Sequence, residues 1–493
     1  RGDDDQSIYR FRGATIENIL SFEKQYQGCR TIRLEQNYRS TQSILNAANA
    51  VISHNLGRKG KKLWTANGDG DPITVYEAAD EGTEANFVAG QILAATRGKG
   101  MQDFAILYRT NAQSNALEYA MKRNGIPYRI IGGTRFFDRA EIKDMLSYLC
   151  VINNRADNLR LHRIINNPPR GLGAKTLEMA DRLAEAEGKP LYAVISDPGS
   201  YAPLEKSAAK FQQFSSMIEG LAQLLEDGMS LPEFYDEVVS RTGYADMLTA
   251  KDTEENKTRL ENVRELKSSI HSYMENTDSP TLAGFLEEIA LYTDIEQYNE
   301  ADDAIVMMTM HSAKGLEFPH VFLVGFEDGL FPGQRSIGDN EEMEEERRLC
   351  YVAITRAKKT LTISYARQRM IYGRTSASMP SRFLKEIPEA CIRHRGGFHP
   401  APAAQSVERT YGSRSSYMNR PRYHSESSMI SGKTSAPMLE LQQGDMVQHA
   451  AFGRGMVLTV TKMGGDALLE VAFDDIGTKK LMAKTASSYM KKI

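Results

Sequence analysis

The sequence is poor in cysteine and has no long apolar run. Its four cysteines are scattered without the paired spacing that a disulfide framework or a zinc cluster needs. Cys391, His394 and His399 lack a fourth zinc ligand, so we expect no metal bound by this group. The chain has no stretch of about 18 apolar residues and no signal peptide at its start, which predicts a cytoplasmic protein without membrane contact.

The overall charge gives little information about partners. A net charge of −3, with 41% hydrophobic and 25% charged residues, is typical of a soluble globular protein. The 493 residues predict three or four domains at about 100–200 residues each. A local bias exists between Arg393 and Lys433, where seven basic residues face only Glu408 and Glu426. Such a segment can attract a phosphate backbone without folding.

Short runs of β-forming residues alternate with helical patterns along two parts of the chain. This alternation predicts an α/β fold with a parallel sheet. The predicted strands are 73–78, 104–108, 128–131, 305–310, 320–326 and 360–365, and the first three are separated by predicted helices at 82–96 and 113–124.

Three other regions have different patterns. Residues 135–298 show helical periodicity, which predicts a helical domain inserted into the α/β domain of 28–134 and 299–391. Residues 392–437 are rich in Ser, Arg, Gly and Pro and predict a disordered basic linker. Short alternating strands and glycines predict a small β-barrel within 438–493.

The stretch from Gly2 to Ala14 combines a glutamine, arginines and aromatic residues. One interpretation has Gln6 sensing a phosphate while Tyr9, Phe11 and Arg12 contact DNA, because aromatic rings stack on bases whatever their sequence. The alternative is an acidic turn that precedes a helix.

Three further stretches place polar residues next to predicted strands or helices. In the segment 36–40, Tyr38 could stack on a purine while Arg39 reaches a terminal phosphate; alternatively, Ser40 caps a helix. The segment 309–318 follows a buried strand, where open α/β sheets bind ligands. The segment 351–358 is predicted to be helical, and Arg356 near its end could equally be a partner of the helix dipole.

Together these stretches resemble superfamily-one DNA helicases of the UvrD/PcrA/Rep type, and the PcrA type is the most similar. The resemblance covers most of residues 1–390. It is carried, in order, by GDDDQSIYRFRGA (2–14), QNYRS (36–40), YRTNAQS (108–114), FFDRAEIKD (136–144), NPPRGLG (167–173), TMHSAKGLEF (309–318) and EEERRLCYVAITRAKK (344–359).

The resemblance implies an ATP site between two RecA-like domains. Residues 1–27 are then the tail of the first RecA-like domain, and the α/β domain predicted above is the second. In this family Gln6 couples the γ-phosphate to DNA and Tyr38 stacks on adenine. Arg39 and Arg356 close on the γ-phosphate, and Glu317 lies near the ribose and triphosphate of ATP bound with Mg²⁺.

The resemblance also implies a path for single-stranded DNA and a grip on single/double-strand junctions. The path residues are Tyr9, Phe11, Arg12, Arg109, Asn111 and His311. Phe11 stands where the family often has tryptophan, and its ring can still stack. The hairpin that grips duplex phosphates contains Gly171, Gly173, Lys175 and Thr176; the alternative there is a glycine-ended turn between helices. The barrel resembles the family's Tudor-like tail, which implies a nucleic-acid contact or a protein partner such as RNA polymerase or repair proteins.

Two family motifs do not occur in these 493 residues. No G-x-x-x-x-G-K-[ST] loop follows a strand, since Gly432-Lys433 lies in the predicted linker and Ser427 replaces the first glycine. No Asp-Glu pair ends a buried strand, because Asp236-Glu237 lies in a polar helical pattern, and Asp3 to Asp5 belong to the first stretch rather than to a magnesium site.

The missing motifs supply the main Mg²⁺ ligands. We therefore expect a C-terminal fragment of an ATP-dependent 3′–5′ DNA helicase of repair and replication, inactive alone. A non-catalytic DNA- or protein-binding module is the alternative.

Overall fold

The computed structural model describes residues 2–10, 13–26, 28–96, 100–296, 303–396, 441–463, 466–474, 477–487 and 489–493. Phe11 and Arg12 lie outside the described residues, as does most of the predicted linker.

The secondary structure consists of helices α1–α16 and strands β1–β14. The helices are α1 Glu17–Leu20, α2 Phe22–Gln25, α3 Gln42–Ile52, α4 Glu81–Ala95, α5 Ser114–Arg123, α6 Ala140–Asn153, α7 Asn158–Ile164, α8 Ala174–Glu187, α9 Leu191–Ser196, α10 Ala208–Glu226, α11 Leu231–Arg241, α12 Tyr244–Thr249, α13 Glu254–Glu275, α14 Leu282–Glu296, α15 Asn340–Ile354 and α16 Ala483–Ala486. The strands are β1 Ile73–Ala78, β2 Phe104–Tyr108, β3 Tyr128–Ile131, β4 Ile305–Thr309, β5 Phe318–Leu323, β6 Ala357–Ala366, β7 Gln368–Ile371, β8 Arg374–Ala377, β9 Ile392–Gly396, β10 Met446–His449, β11 Gly453–Met463, β12 Asp466–Phe473, β13 Gly477–Met482 and β14 Met490–Lys492.

A seven-stranded parallel sheet forms the centre of the molecule, in the order β3-β4-β2-β5-β6-β1-β9. Every residue of β2 is buried, as expected for a central parallel strand with helices on both faces. One core lies between the sheet and α3 with α15, and a second lies between the sheet and α4 with α5. The predicted α/β sheet is confirmed.

The last strand of this sheet was missed by the sequence analysis. Ile392–Gly396, which we predicted to begin the linker, instead pairs with β1 as the edge strand β9. Four of its five residues are exposed, so its polar composition resembles that of a linker. An edge strand is held through its backbone, which hydrophobic patterning does not detect.

The helices α6 to α14 follow β3 and precede β4, so they form an insertion between two neighbouring strands of the sheet. They have a core of their own. The periodic residues Leu260, Val263, Leu266 and Ile270 of α13 are buried in it. The predicted inserted helical domain is confirmed, whereas its residue bounds stay a prediction.

The C-terminal residues form a five-stranded antiparallel sheet in the order β13-β12-β11-β10-β14. Its apolar residues share a core with α4 and α5. Gly125 has φ +64°, and a Cβ there would lie 2.5 Å from the Leu481 side chain. Arg123 pairs with Asp466 across the same contact at 3.0 Å. The small β-domain is therefore packed against the α/β domain.

Among the described residues, we find no helix with the length and apolar character that crossing a membrane requires.

Candidate functional site

The stretch 309–318 runs from one end of the parallel sheet to the other. Thr309 ends β4 at the carboxyl edge, and Phe318 begins β5 at the amino edge. Met310, Ala313 and Leu316 pack into the core on the way. The prediction of a ligand site at the carboxyl ends of strands therefore applies to the start of this stretch, whereas Glu317 lies at the opposite edge.

Glu317 holds two basic side chains at the amino edge. Its carboxylate accepts from Arg39 Nε at 2.5 Å and lies 2.9 Å from Lys358 Nζ. Arg39 Nη1 also donates to the Thr355 carbonyl at 3.2 Å. Lys358 and Arg39 lower the pKa of Glu317 to about 2, so its carboxylate is charged at neutral pH. The cluster remains partly exposed, and its charges can meet a ligand in solvent.

Tyr38 presents its ring to solvent beside this cluster. Its side chain is among the most exposed large apolar groups described, at 78%. Asn37 fixes the turn, because its Oδ1 accepts from the backbone N–H groups of Arg39 and Ser40 at 2.9 Å each. The Ser40 hydroxyl donates to the Ala357 carbonyl at 2.6 Å, so Ser40 fastens the turn to β6 and does not cap α3.

Arg356 lies next to Arg39 but points into the protein. It is 2% exposed, and its guanidinium donates to the carbonyls of Val352 and Leu316 at 2.9 and 3.1 Å. Burial, and then the nearby charge of Arg39, lower the pKa of Arg356 to about 10. The prediction that 351–358 is helical was wrong at its end, because α15 stops at Ile354 and β6 begins at Ala357.

Gln6 lies against the middle of the 309–318 stretch. Lys314 Nζ donates to the Gln6 carbonyl at 2.9 Å and lies 4.8 Å from the centre of the Tyr9 ring. The Gln6 side chain donates to Asp3 at 2.6 Å. The structure thus brings together Gln6, which the sequence analysis assigned to phosphate sensing, and Tyr9, which it assigned to DNA contact.

The three consecutive aspartates attach this N-terminal stretch to the segment 58–61. Asp5 accepts two hydrogen bonds from Arg58, at 3.0 and 2.8 Å. Asp4 accepts from the backbone of Lys59 at 2.6 Å, and Asp3 pairs with Lys61. Their carboxylate oxygens have the spacing of a metal site, but each carboxylate already binds a donor of this segment.

A cleft of about 1010 Å³ opens at the carboxyl edge of the sheet, and α13 forms its opposite wall. Four of the predicted DNA-path residues line it: Tyr9, Arg109, Asn111 and His311. Arg109 makes a bidentate ion pair with Glu346, with the shortest contact at 2.7 Å. The sequence analysis missed Glu346, although the acidic run before Arg347 places several carboxylates on α15.

The Gly171 loop lies apart from this cleft, between α7 and α8 of the inserted helices. Gly171 has φ +67°, which favours glycine, and its carbonyl accepts from Lys210 Nζ at 2.7 Å. Arg170 points inward to the Tyr148 hydroxyl at 2.8 Å. Gly173 precedes α8, whose first residues include the exposed Lys175 and the half-exposed Thr176. The loop is a glycine turn between helices, and this geometry is compatible with both interpretations.

Three family models match the chain. The model of the UvrD-like helicase C-terminal domain matches residues 32–368. The model of the PcrA/UvrD tudor domain matches 443–487, which confirms the predicted Tudor-like barrel. The model of the UvrD/REP helicase N-terminal domain matches residues 1–27.

Curated relatives are similar along nearly the whole chain. The ATP-dependent DNA helicase PcrA of Staphylococcus epidermidis is 44% identical over 98% of this chain and 65% of its own length. PcrA of Staphylococcus aureus is 43% identical over 98% of this chain and 66% of its own length. The chain thus spans 65% of the length of the first of these relatives. A solved C-terminal domain of a possible DNA helicase from a Lactobacillus aligns over 73% of the chain with a TM-score of 0.29 and 12% identity, too distant to carry an assignment.

Proposed function

The chain belongs to the family of UvrD-like helicases, and on that basis we propose that it supplies one half of the motor of an ATP-driven 3′–5′ DNA helicase in replication and repair. The stretch 309–318 carries this proposal. It reaches from His311 in the cleft to Glu317 in the basic cluster and contacts the Gln6–Tyr9 segment between them. One short segment therefore touches both proposed sites.

The amino-edge cluster suits the terminal phosphates and base of ATP. The exposed Tyr38 ring would offer a face for adenine, and the partly exposed Arg39 would offer its positive charge to the γ-phosphate. Glu317 holds Arg39 and lies near the ribose and triphosphate in this proposal. Arg356 reaches the γ-phosphate only after its guanidinium leaves the Val352 and Leu316 carbonyls.

The carboxyl-edge cleft suits single-stranded DNA. Tyr9 offers a ring for stacking, and Asn111 and His311 offer polar groups along the cleft. Arg109 offers only part of its positive charge to DNA, because its guanidinium is already paired with Glu346. Phe11 and Arg12 are added to the proposed path on the basis of the sequence alone. The 171–176 loop is proposed to hold duplex phosphates at a junction of single- and double-stranded DNA.

The chain contains neither the phosphate-binding loop nor the Asp-Glu pair of its family. The loop supplies the lysine and the hydroxyl that hold the phosphates and Mg²⁺. The Asp3 to Asp5 carboxylates do not fit that metal role, since they are already bound to the 58–61 segment. We therefore propose that the 493-residue chain hydrolyses ATP only when a second polypeptide segment provides these groups.

A non-catalytic binding role is a second candidate, and the folded barrel favours it. The residues matched by the tudor model include four strands, β10 to β13, of the five-stranded antiparallel sheet. Such a domain could bind a protein partner, for example RNA polymerase or a repair protein, without any nucleotide. This candidate would be favoured if the 493-residue chain binds such a protein partner but shows no measurable affinity for single-stranded DNA.

The variant Phe11→Ala tests the DNA path. We expect its affinity for an oligo-dT strand to fall by roughly 1–3 kcal/mol, because one stacking ring is removed. Fluorescence anisotropy of a labelled oligonucleotide measures this loss. Phe22→Ala, which removes an exposed ring on α2 outside the cleft, is the matched control and should bind as the parent chain does. An unchanged affinity for Phe11→Ala would refute the stacking role.

A further inference from the structure

We propose that Arg139 is a positioning residue. It holds the Asn111 loop in the place where the loop binds DNA, and it makes the DNA affinity of that loop depend on the position of the inserted helices. This inference rests on the proposed function, in which Asn111 contacts single-stranded DNA. Arg139 itself is buried behind the cleft and acts through the loop that it holds.

Arg139 joins three parts of the molecule with one guanidinium. It stands immediately before α6, where the chain enters the inserted helices, and it is 7% exposed. Its Nη1 and Nη2 donate to the Asn111 carbonyl at 3.3 and 3.2 Å. Nη2 also donates to the Ser114 hydroxyl at 2.9 Å, and Nη1 donates to Asn262 Oδ1 at 2.8 Å. The α/β domain and the inserted helices thus meet at this side chain.

Asn262 fixes the other end of this connection. It lies in the middle of α13, is buried, and donates from Nδ2 to Glu141 at 2.7 Å. The same helix forms the opposite wall of the cleft through Lys257 and Glu261. A displacement of α13 relative to the sheet must therefore either break the Asn262 contact or pull on the Asn111 loop.

The Asn111 loop also has bracing of its own, and Gln113 Nε2 ties it to the end of β5 through the Val324 carbonyl at 3.4 Å. Gln113 Oε1 accepts from the backbone N–H groups of Arg109 and Thr110 at 2.9 Å each. These bonds fix the shape of the turn. A neighbouring contact reaches α13, where Asn115 Nδ2 donates to the Ser269 hydroxyl at 2.9 Å. The planar guanidinium of Arg139 adds a buried link between the Asn111 carbonyl and α13, because its five donors can serve several acceptors in a fixed fork, which an ammonium group does not do.

A double-mutant cycle on the 493-residue chain tests the inference, with affinity for oligo-dT as the readout. Asn111→Ala removes the proposed DNA contact and keeps the carbonyl that Arg139 binds. We expect it to weaken binding about tenfold, or about 1.4 kcal/mol, in the parent chain. In an Arg139→Lys background it should weaken binding less than about twofold, because the released loop no longer presents Asn111.

Arg163→Lys is the matched control. Arg163 lies on α7 in the same inserted region and pairs with Asp144 at 2.6 Å, away from the cleft. Asn111→Ala should keep its full effect in that background. If circular dichroism shows that Arg139→Lys does not fold, Asn262→Ala replaces it. That change removes the Arg139 contact with α13 and the hydrogen bond to Glu141, and it leaves the bonds between Arg139 and the Asn111 loop in place.

The outcomes separate the inference from the function on which it rests. Equal Asn111→Ala effects in the parent, Arg139→Lys and Asn262→Ala backgrounds would overturn the positioning role and leave the DNA contact intact. If Asn111→Ala leaves the oligo-dT affinity of the parent chain unchanged, the DNA contact at Asn111 is refuted, and the inference with it. A reduced effect in the Arg139→Lys background, with a full effect in Arg163→Lys, supports the inference.

Discussion

Replacing Arg39 with alanine should lower ATP turnover by about 10³- to 10⁵-fold, the range expected for an arginine that stabilises a transferring phosphoryl group. The variant is made in a chimera that carries, upstream of this chain, a segment of a Staphylococcus PcrA with the phosphate-binding loop and the Asp-Glu pair. Steady-state phosphate release in the presence of oligo-dT measures the rate.

The physical reason is the position of Arg39 in the amino-edge cluster. Glu317 and the Thr355 carbonyl orient its guanidinium while leaving it partly exposed. Alanine removes that charge and leaves Lys358 as the remaining partner of Glu317. Oligo-dT affinity without nucleotide should change little, because Arg39 does not line the cleft.

Arg33→Ala provides the matched control for this prediction. Arg33 is an exposed arginine six positions earlier in the chain, outside the cluster. We expect this variant to retain turnover near that of the parent chimera. Retained turnover in the Arg39 variant would instead remove Arg39 from the site.

Replacing Arg369 with methionine should destabilise the α/β domain by about 3–5 kcal/mol, the cost of leaving buried charges without their partner. Arg369 Nη2 lies 2.5 Å from Glu84, and its Nε lies 2.9 Å from Glu327. All three side chains are buried, so the two carboxylates would face each other without a cation. Urea unfolding followed by circular dichroism measures the loss.

Arg382→Met is the surface counterpart of this change. Arg382 pairs with Asp328 at 3.0 Å, and both side chains remain partly exposed. Solvent screens such a pair, so the expected cost is at most about 1 kcal/mol. Equal losses for the two variants would refute the assignment of Arg369 as the central cation of a buried network.

The sequence predicted three strands of the parallel sheet well, because runs of β-forming residues mark them. The bounds of β1, β2 and β3 agree with the predicted ranges, and only β2 has the continuous apolar signal of a strand buried on both faces. The hairpin β7–β8 and the edge strand β9 were not found. Their residues are largely polar or exposed, and their pairing depends on the backbone.

Motif order proposes which residues bind the ligands, but it does not predict where their side chains point. Four of the proposed DNA-path residues line one cleft. The inward direction of Arg356 and the Arg109–Glu346 pair could not be predicted, because both depend on partners brought close by folding. His311 and Glu317 lie at opposite edges of the sheet because the chain crosses from the end of β4 to the start of β5. Their spacing in the sequence does not predict this arrangement.

The most direct test compares ATP hydrolysis by the 493-residue chain and by the chimera, each with and without oligo-dT. If the chain provides one side of a shared catalytic site, the chimera hydrolyses ATP and DNA stimulates it, while the chain alone releases no phosphate above background. Oligonucleotide-stimulated phosphate release by the chain alone would contradict the half-site proposal.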